Sequence, residues 1–212
     1  EAVALERQLQ GSTRSLEGML RISCSDWFGL HMLTPVLAEF SQAHPKVSVE
    51  LLTDARLLNL SRREADLVFR IRPFTEPEVI SRKLMHIGYG LYVAKGMPHP
   101  TAGDGSGFTI VTMDEAFAEM PDVHWVTRTF PNATITMRSN NRDVQAALCA
   151  RGAGMAVLPR PLGDHFPGLE RVDVPEAPPG RDTFLGYHRD LKRLPRLRAF
   201  MDVVISRLTP AG

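Results

Sequence analysis

The chain has 212 residues, 43% hydrophobic and 23% charged, with a formal net charge of +1. No stretch approaches the ~18 apolar residues of a membrane span, no basic start followed by an apolar run reads as a secretion signal, and Cys24 and Cys149 stand too far apart to suggest a disulfide framework. The near-neutral balance also lacks the basic footprint of a DNA-binding module, which leaves a globular chain of one domain or two lobes of ~100 residues.

Residues 1–16 carry Leu5, Leu9 and Leu16 at heptad-compatible spacing, the pattern of a linker-helix tail, although Gly11 weakens it. The chain starts at Glu1 inside that pattern, so an upstream segment is expected. Residues 19–23 alternate apolar and polar side chains like a strand, whereas Leu30, Leu33, Leu37 and Phe40 recur at the spacing of one helix face. The polar turn between them, 24–29, therefore sits at the carboxyl end of a strand, where open α/β sheets bind ligands and helix-start N–H groups favour anions. Pro45 disfavours helix at His44 and ends it there. Residues 47–52 read as a second strand, Asp54 as the cap of a short helix bearing Leu57, Leu58 and Leu60, and 66–71 as a buried strand. That alternation is the pattern of a parallel doubly wound sheet.

A further apolar run spans 87–94, and the Pro- and Gly-rich stretch 98–107 reads as a loop. The crossing into a second lobe is expected at 92–95. That lobe repeats the theme, with a strand at 109–111, a helix at 114–119, strands at 125–127 and 133–138, a helix at 142–151 and a strand at 155–158. Residues 163–182 read as loop with a strand at 169–174, and 184–188 as extended. Leu194, Leu197, Phe200, Met201 and Val204 make a closing amphipathic helix.

Several blocks resemble a known family. Gly18-Met-Leu-Arg-Ile, Leu33-Thr-Pro-Val-Leu-Ala-Glu-Phe-Ser-Gln-Ala-His-Pro-Lys-Val-Ser-Val-Glu-Leu, Asp66-Leu-Val-Phe-Arg, Ala146-Ala-Leu-Cys-Ala-Arg-Gly-Ala-Gly-Met-Ala-Val-Leu-Pro and His188-Arg-Asp-Leu-Lys-Arg-Leu-Pro resemble the effector-binding domain of LysR-type transcriptional regulators, in that family's order. The resemblance implies an α/β, two-lobed type 2 periplasmic-binding-protein-like fold, each lobe a doubly wound, mainly parallel sheet, with a small-molecule effector between the lobes. It divides the chain into a linker-helix tail at 1–16, lobe I at 17–93 and 186–212, and lobe II at 94–185. It further implies a helix-turn-helix domain ahead of Glu1 as the only route to DNA, and a homodimer or tetramer formed through the helix 33–43 and the strand 47–52. Residues 96–124 are shorter than the family usually shows.

Carried over by position, the family's effector contacts fall on Ser25, Asp26 and Trp27 after the first strand and on Thr53 and Asp54 after the second. From the residues themselves, Arg70 and Arg72 leave the third strand at its carboxyl end, and Arg128 and Arg138 are expected at strand ends of lobe II. Of the 25 basic residues 21 are Arg, a side chain that holds carboxylates bidentately. Phe130, Asn140 and Asn141 stand in lobe II's polar loops, with the Asn equally suited to capping a helix. An anionic effector, a carboxylate above all, is the expectation.

Catalytic and cofactor signatures are missing. Gly152-Ala-Gly precedes a strand, so it is no dinucleotide fingerprint, Asp104 occupies a position that a nucleophile elbow needs as Gly, and the seven His show no zinc spacing. The reading is a cytoplasmic regulatory module, not an enzyme, with no metal, cofactor or membrane partner. A transporter's solute receptor, which shares the fold, is the alternative.

Overall fold

The computed structural model describes residues 15–53 and 64–209. Two five-stranded mixed sheets form two lobes, in the orders β2-β1-β3-β10-β4 and β7-β6-β8-β5-β9. The first contains β1 (Gly18–Ser23), β2 (Val47–Leu52), β3 (Leu67–Arg70), β4 (Val79–Ile87) and β10 (Arg181–His188). The second contains β5 (Tyr89–Ala94), β6 (Thr109–Thr112), β7 (Thr134–Arg138), β8 (Met155–Pro159) and β9 (Leu169–Val172). In each, four strands run in one direction, β2, β1, β3 and β4 or β7, β6, β8 and β9, and one strand, β10 or β5, runs against its two neighbours. The expected linker tail at 1–14, the expected contact Asp54 and the expected helix with Leu57, Leu58 and Leu60 lie outside the described residues.

The sheets change over at Gly88, between β4 and β5, and ahead of Arg181, where β10 begins. The expected crossings at 94 and 186 are thus corrected by six and five residues. The apolar run 87–94 belongs almost wholly to lobe II, because β5 is buried on both sides between β8 and β9. The return strand starts early because Arg181 and Thr183 are buried against β4.

The first helical segment continues α1 (Asp26–Phe28) through one π turn, Gly29–Leu33, into α2 (Thr34–Ala43). A Cβ at Gly29 would lie 2.9 Å from Thr53 Cγ2 and 3.0 Å from Cys24 Sγ, so glycine lets this turn press against the end of β2. Such π turns are rare and recur at functional sites. Pro35 in the first turn of α2 and Pro45 beyond its end set its limits. Its apolar face meets α6 (Pro195–Leu208), with the Phe40 and Phe200 rings edge to face at 5.2 Å, while Glu39 and Arg207 pair outside at 2.8 Å.

Lobe II departs from expectation at its first long helix. Residues 121–129 form α3 (Pro121–Thr129), where a strand at 125–127 was expected, and the helix expected at 114–119 is a 3-10 turn, Glu115–Phe117. α4 (Arg142–Ala150), capped by Asn141, and the short α5 (Arg160–Gly163) complete the lobe. Among the described residues no helix is long and apolar enough to cross a membrane.

Candidate functional site at the lobe junction

Parallel strands β1 and β2 end side by side, Ser23 opposite Leu52, and the Cys24 N–H donates to Leu52 O at 3.0 Å. Ser25 and Thr53, both exposed, therefore stand on one rim of lobe I, where α1 begins. The Ser25 hydroxyl does not cap the helix it precedes. The opposite rim is the turn ahead of α4 in lobe II, with Ser139, exposed Asn140, and Asn141.

The rims touch. Asn141 Nδ2 donates to Asp26 Oδ2 at 2.7 Å, while Asn141 Oδ1 accepts from the Val144 N–H at 3.0 Å and caps α4. One residue thus caps α4, as its place ahead of the helix suggested, and also bridges the lobes. A second bridge joins His31 Nε2 to Asp143 Oδ1 at 2.7 Å. It was not anticipated, since His31, within the π turn, and Asp143 stand 112 residues apart. Asp26 thus accepts from an amide donor of lobe II.

Beneath the rims lies a buried charge cluster. Asp122, in the first turn of α3, is held between Arg142 of α4 and Arg181 of β10, and all three side chains are at least nine-tenths buried. Arg142 Nη1 donates to Asp122 Oδ2 at 2.9 Å, to Val157 O at 3.2 Å and to Gln145 Oε1 at 3.3 Å. Arg181 Nη2 donates to Asp122 Oδ1, and both guanidinium groups lie over the Tyr89 ring, 5.5 and 5.3 Å from its centre. Burial raises the Tyr89 pKa, so the ring stays neutral. The α3 N-terminus adds favourable potential at Asp122. The cluster ties two lobe II helices to Tyr89 of the outgoing crossing and Arg181 of the returning one.

Several expected contacts are corrected. Phe130 is 1% exposed and stacks edge to face on Trp125 at 6.0 Å, so it belongs to the lobe II core. Trp27 is 7% exposed and packs on Phe28 at 5.7 Å, so most of its ring is engaged in anchoring α1. Arg128 sits in the last turn of α3, not at a strand end, and its guanidinium approaches Glu176 only to 3.7 Å. Arg138 does end β7, but it donates to Met113 O and pairs with Glu115, both at 3.1 Å. Arg70 is likewise engaged: Nη2 donates to both Glu76 oxygens at 2.9 and 3.0 Å, and the guanidinium stacks 3.6 Å from the Phe74 ring centre. Arg72 is exposed beside it.

The Arg70 hydrogen bond holds Glu76 below its ordinary pKa, with burial opposing. A carboxyl with a lowered folded pKa stabilises above its unfolded pKa and loses that contribution as pH falls through the folded one. The Thr75 N–H, which donates to Glu76 Oε2 at 2.9 Å, is therefore expected to lose exchange protection as pH falls below the ordinary Glu range. Glu76→Gln should flatten that dependence in amide exchange.

Burial pushes the Cys24 and Cys149 thiols up to about 12, so both stay protonated and unreactive at neutral pH. Among the described residues no three His, Cys, Asp or Glu side chains gather to hold a metal ion.

Two α/β lobes joined by two crossings, with strand-end rims facing each other at the junction, define a bilobal fold of the periplasmic-binding-protein type. The chain belongs to the LysR substrate binding domain family, whose model matches residues 13–209. The Mau operon transcriptional activator of Paracoccus denitrificans is 26% identical over 184 residues, 87% of this chain and 62% of that protein, so the chain spans under two thirds of this relative. The transcriptional regulator CrgA of Neisseria meningitidis is 23% identical over 98% of this chain and 73% of its own. The solved CrgA structure superposes with a TM-score of 0.81 at 18% identity, covering 98% of this chain and 74% of that one. The full-length Vibrio cholerae virulence activator AphB gives 0.71 at 19% identity over 98% and 74%. At these identities the structures establish the fold.

Proposed function

We propose that this chain is the effector-sensing part of a cytoplasmic LysR-type transcription regulator, without catalytic activity, and that it binds a small anion, a carboxylate by preference, at the junction of its lobes. The observation that carries the proposal is the Ser25–Thr53 rim, set at the carboxyl ends of adjacent parallel strands and bridged to lobe II by the Asp26–Asn141 hydrogen bond. An anion there meets hydroxyl donors and helix-start N–H groups on the lobe I side. Asn140, exposed ahead of α4, and Arg72, exposed beyond β3, are assigned to complete the polar lining. Arg70 is kept for its loop by Glu76.

Binding shifts the lobe arrangement because the rims belong to different sheets, and an effector that favours one arrangement draws the population to it. DNA is contacted through a helix-turn-helix domain preceding this chain. Homodimers, or tetramers, form through α2 and β2. In support, β2 is one of the two edge strands of its sheet among the described residues, and Thr34, Pro35, Ala38, Glu39, Ser41 and Gln42 are exposed on α2.

The test is a thermal-shift screen of the purified chain against aliphatic and aromatic carboxylates. A ligand at 100 times its Kd adds about 2.7 kcal/mol, or roughly 5–10 °C for a chain of this size. Ser25→Ala and Thr53→Ala are expected to reduce the shift while leaving the unliganded melting temperature nearly unchanged, since both side chains are exposed. A shift untouched by both substitutions places the effector elsewhere.

A further inference from the structure

The ten residues 189–198 carry Arg189, Lys192, Arg193, Arg196 and Arg198 against the single acid Asp190, a local charge of +4 in a chain whose total is +1. The near-neutral total therefore conceals one strongly basic stretch. Arg189, Lys192, Arg193 and Arg198 are exposed, and none of the four pairs with a carboxylate among the described residues. Arg196 donates through Nε to Met19 O at 2.6 Å and likewise meets no carboxylate there. Elsewhere the chain pairs its arginines, Arg21 with Glu50, Arg70 with Glu76, Arg171 with Asp164 and Arg207 with Glu39.

Topology gathers these cations at one end of lobe I. The run joins the end of β10 to the start of α6, and the Arg196–Met19 hydrogen bond sets it beside the amino end of β1. Exposed Lys46 stands at the same end, since its carbonyl accepts from the Gly18 N–H at 3.3 Å. Glu17 and Glu78, the acids there besides Asp190, pair with none of the six. Folding by itself does not favour the arrangement. A helix N-terminus prefers negative charge, yet α6 has no acid in its first turn and is flanked there by Arg193, Arg196 and Arg198. An anionic partner offsets that repulsion.

We propose that this end of lobe I is an auxiliary contact for the phosphate backbone of duplex DNA. The inference rests on the proposed function, in which a DNA-binding domain precedes this chain. The described chain enters lobe I at 15–18, so such a domain is tethered at the end where the cations gather. Five of the six cations lie in one short run, a spread that suits a polyanion better than a single small anion. The planar fork of Arg, four of the six, holds phosphate oxygens bidentately. Backbone contacts fix orientation and carry no base information, so the surface adds affinity and not sequence choice. The effector rim lies at the opposite ends of β1 and β2, roughly 17 Å along the strands, and shares no residue with it.

The test is fluorescence anisotropy of a labelled duplex of arbitrary sequence, about two helical turns long, titrated with the 212-residue chain at several salt concentrations. Binding is expected at about 50 mM salt with a Kd below about 100 µM, weakening as salt rises with a logarithmic slope of about −4 to −5 for some five phosphate contacts. Arg189→Gln together with Arg193→Gln should make that slope shallower by about two. Both side chains are exposed and unpaired, so the melting temperature should stay unchanged. The same loss of charge at Arg128→Gln with Arg151→Gln, exposed on lobe II, should leave the slope nearly as it was. No anisotropy change at about 100 µM protein overturns the proposal, as does a slope indifferent to the Arg189 and Arg193 changes or lowered equally by the lobe II pair. Poly-glutamate of matched charge binding as tightly as the duplex would assign the surface to an acidic protein and overturn the DNA reading. A chain that a carboxylate stabilises but that ignores the duplex loses this inference alone and keeps the effector reading.

Discussion

Asp122→Asn is expected to destabilise the chain by about 3–5 kcal/mol, the usual cost of removing one partner from a buried ion pair. Asp122 is the carboxylate between Arg142 and Arg181, and its removal leaves two guanidinium groups in the interior with no anion between them. Arg142 retains Val157 O and Gln145, whereas Arg181 loses its principal partner and already carries a buried Nε without one. Arg181 must then leave the interior, and with it the start of β10. Urea unfolding of the two proteins measures the difference. A change under about 1 kcal/mol would mean that water reaches the cluster, as at an exposed pair, and that the clamp does not hold the crossing. Replacing all three residues together by apolar ones of similar volume should cost far less than the single change, because burying charge is itself unfavourable. That comparison separates the clamp's role in holding lobe geometry from any net contribution to stability.

The same cluster shows where the sequence stopped being informative. Its members are 20 and 59 residues apart, on three elements, so no local spacing brings them together. The strand-end positions of Ser25 and Thr53 were legible for the opposite reason: a strand end followed by a helix start is a local pattern. Most of the fold was legible on that basis. β1, α2, β2, β3, α4 and α6 each announce themselves by an apolar period of two or of three to four. α3 did not, because Val123, Trp125, Val126 and Thr127 are β-branched or aromatic and favour strands, and packing against the lobe II core overrides that preference. Its start was nonetheless marked, by Pro121 in the first turn and Asp122 beside it. Once 121–129 is a helix, Arg128 moves off the strand end where it was expected, and Phe130 turns inward beyond the helix end. The outer half of β4 was missed because Ser81, Arg82 and Lys83 are exposed on an edge strand, where charge guards the free edge and hides the apolar period.

Phe40→Ala is expected to cost about 3–5 kcal/mol, as for other large-to-small changes of buried aromatic residues. Phe40 is fully buried, meets Phe200 edge to face at 5.2 Å and lies 4.8 Å from the His44 ring, so truncation opens a cavity between α2 and α6 that neither helix can close alone. At 2–4 °C per kcal/mol for a chain of this size, the melting temperature should fall by roughly 6–20 °C. The sequence alone left Phe40 open as either core or dimer contact, and its burial assigns it to the core. A charge placed there would therefore unfold lobe I, and any loss of association would report the unfolding. Ala38, exposed on the same helix, isolates the second question. Ala38→Glu should leave the melting temperature of the dilute protein nearly unchanged while weakening self-association on a sizing column. A stable variant that still associates would remove α2 from the dimer surface and leave the free edge of β2 to carry it.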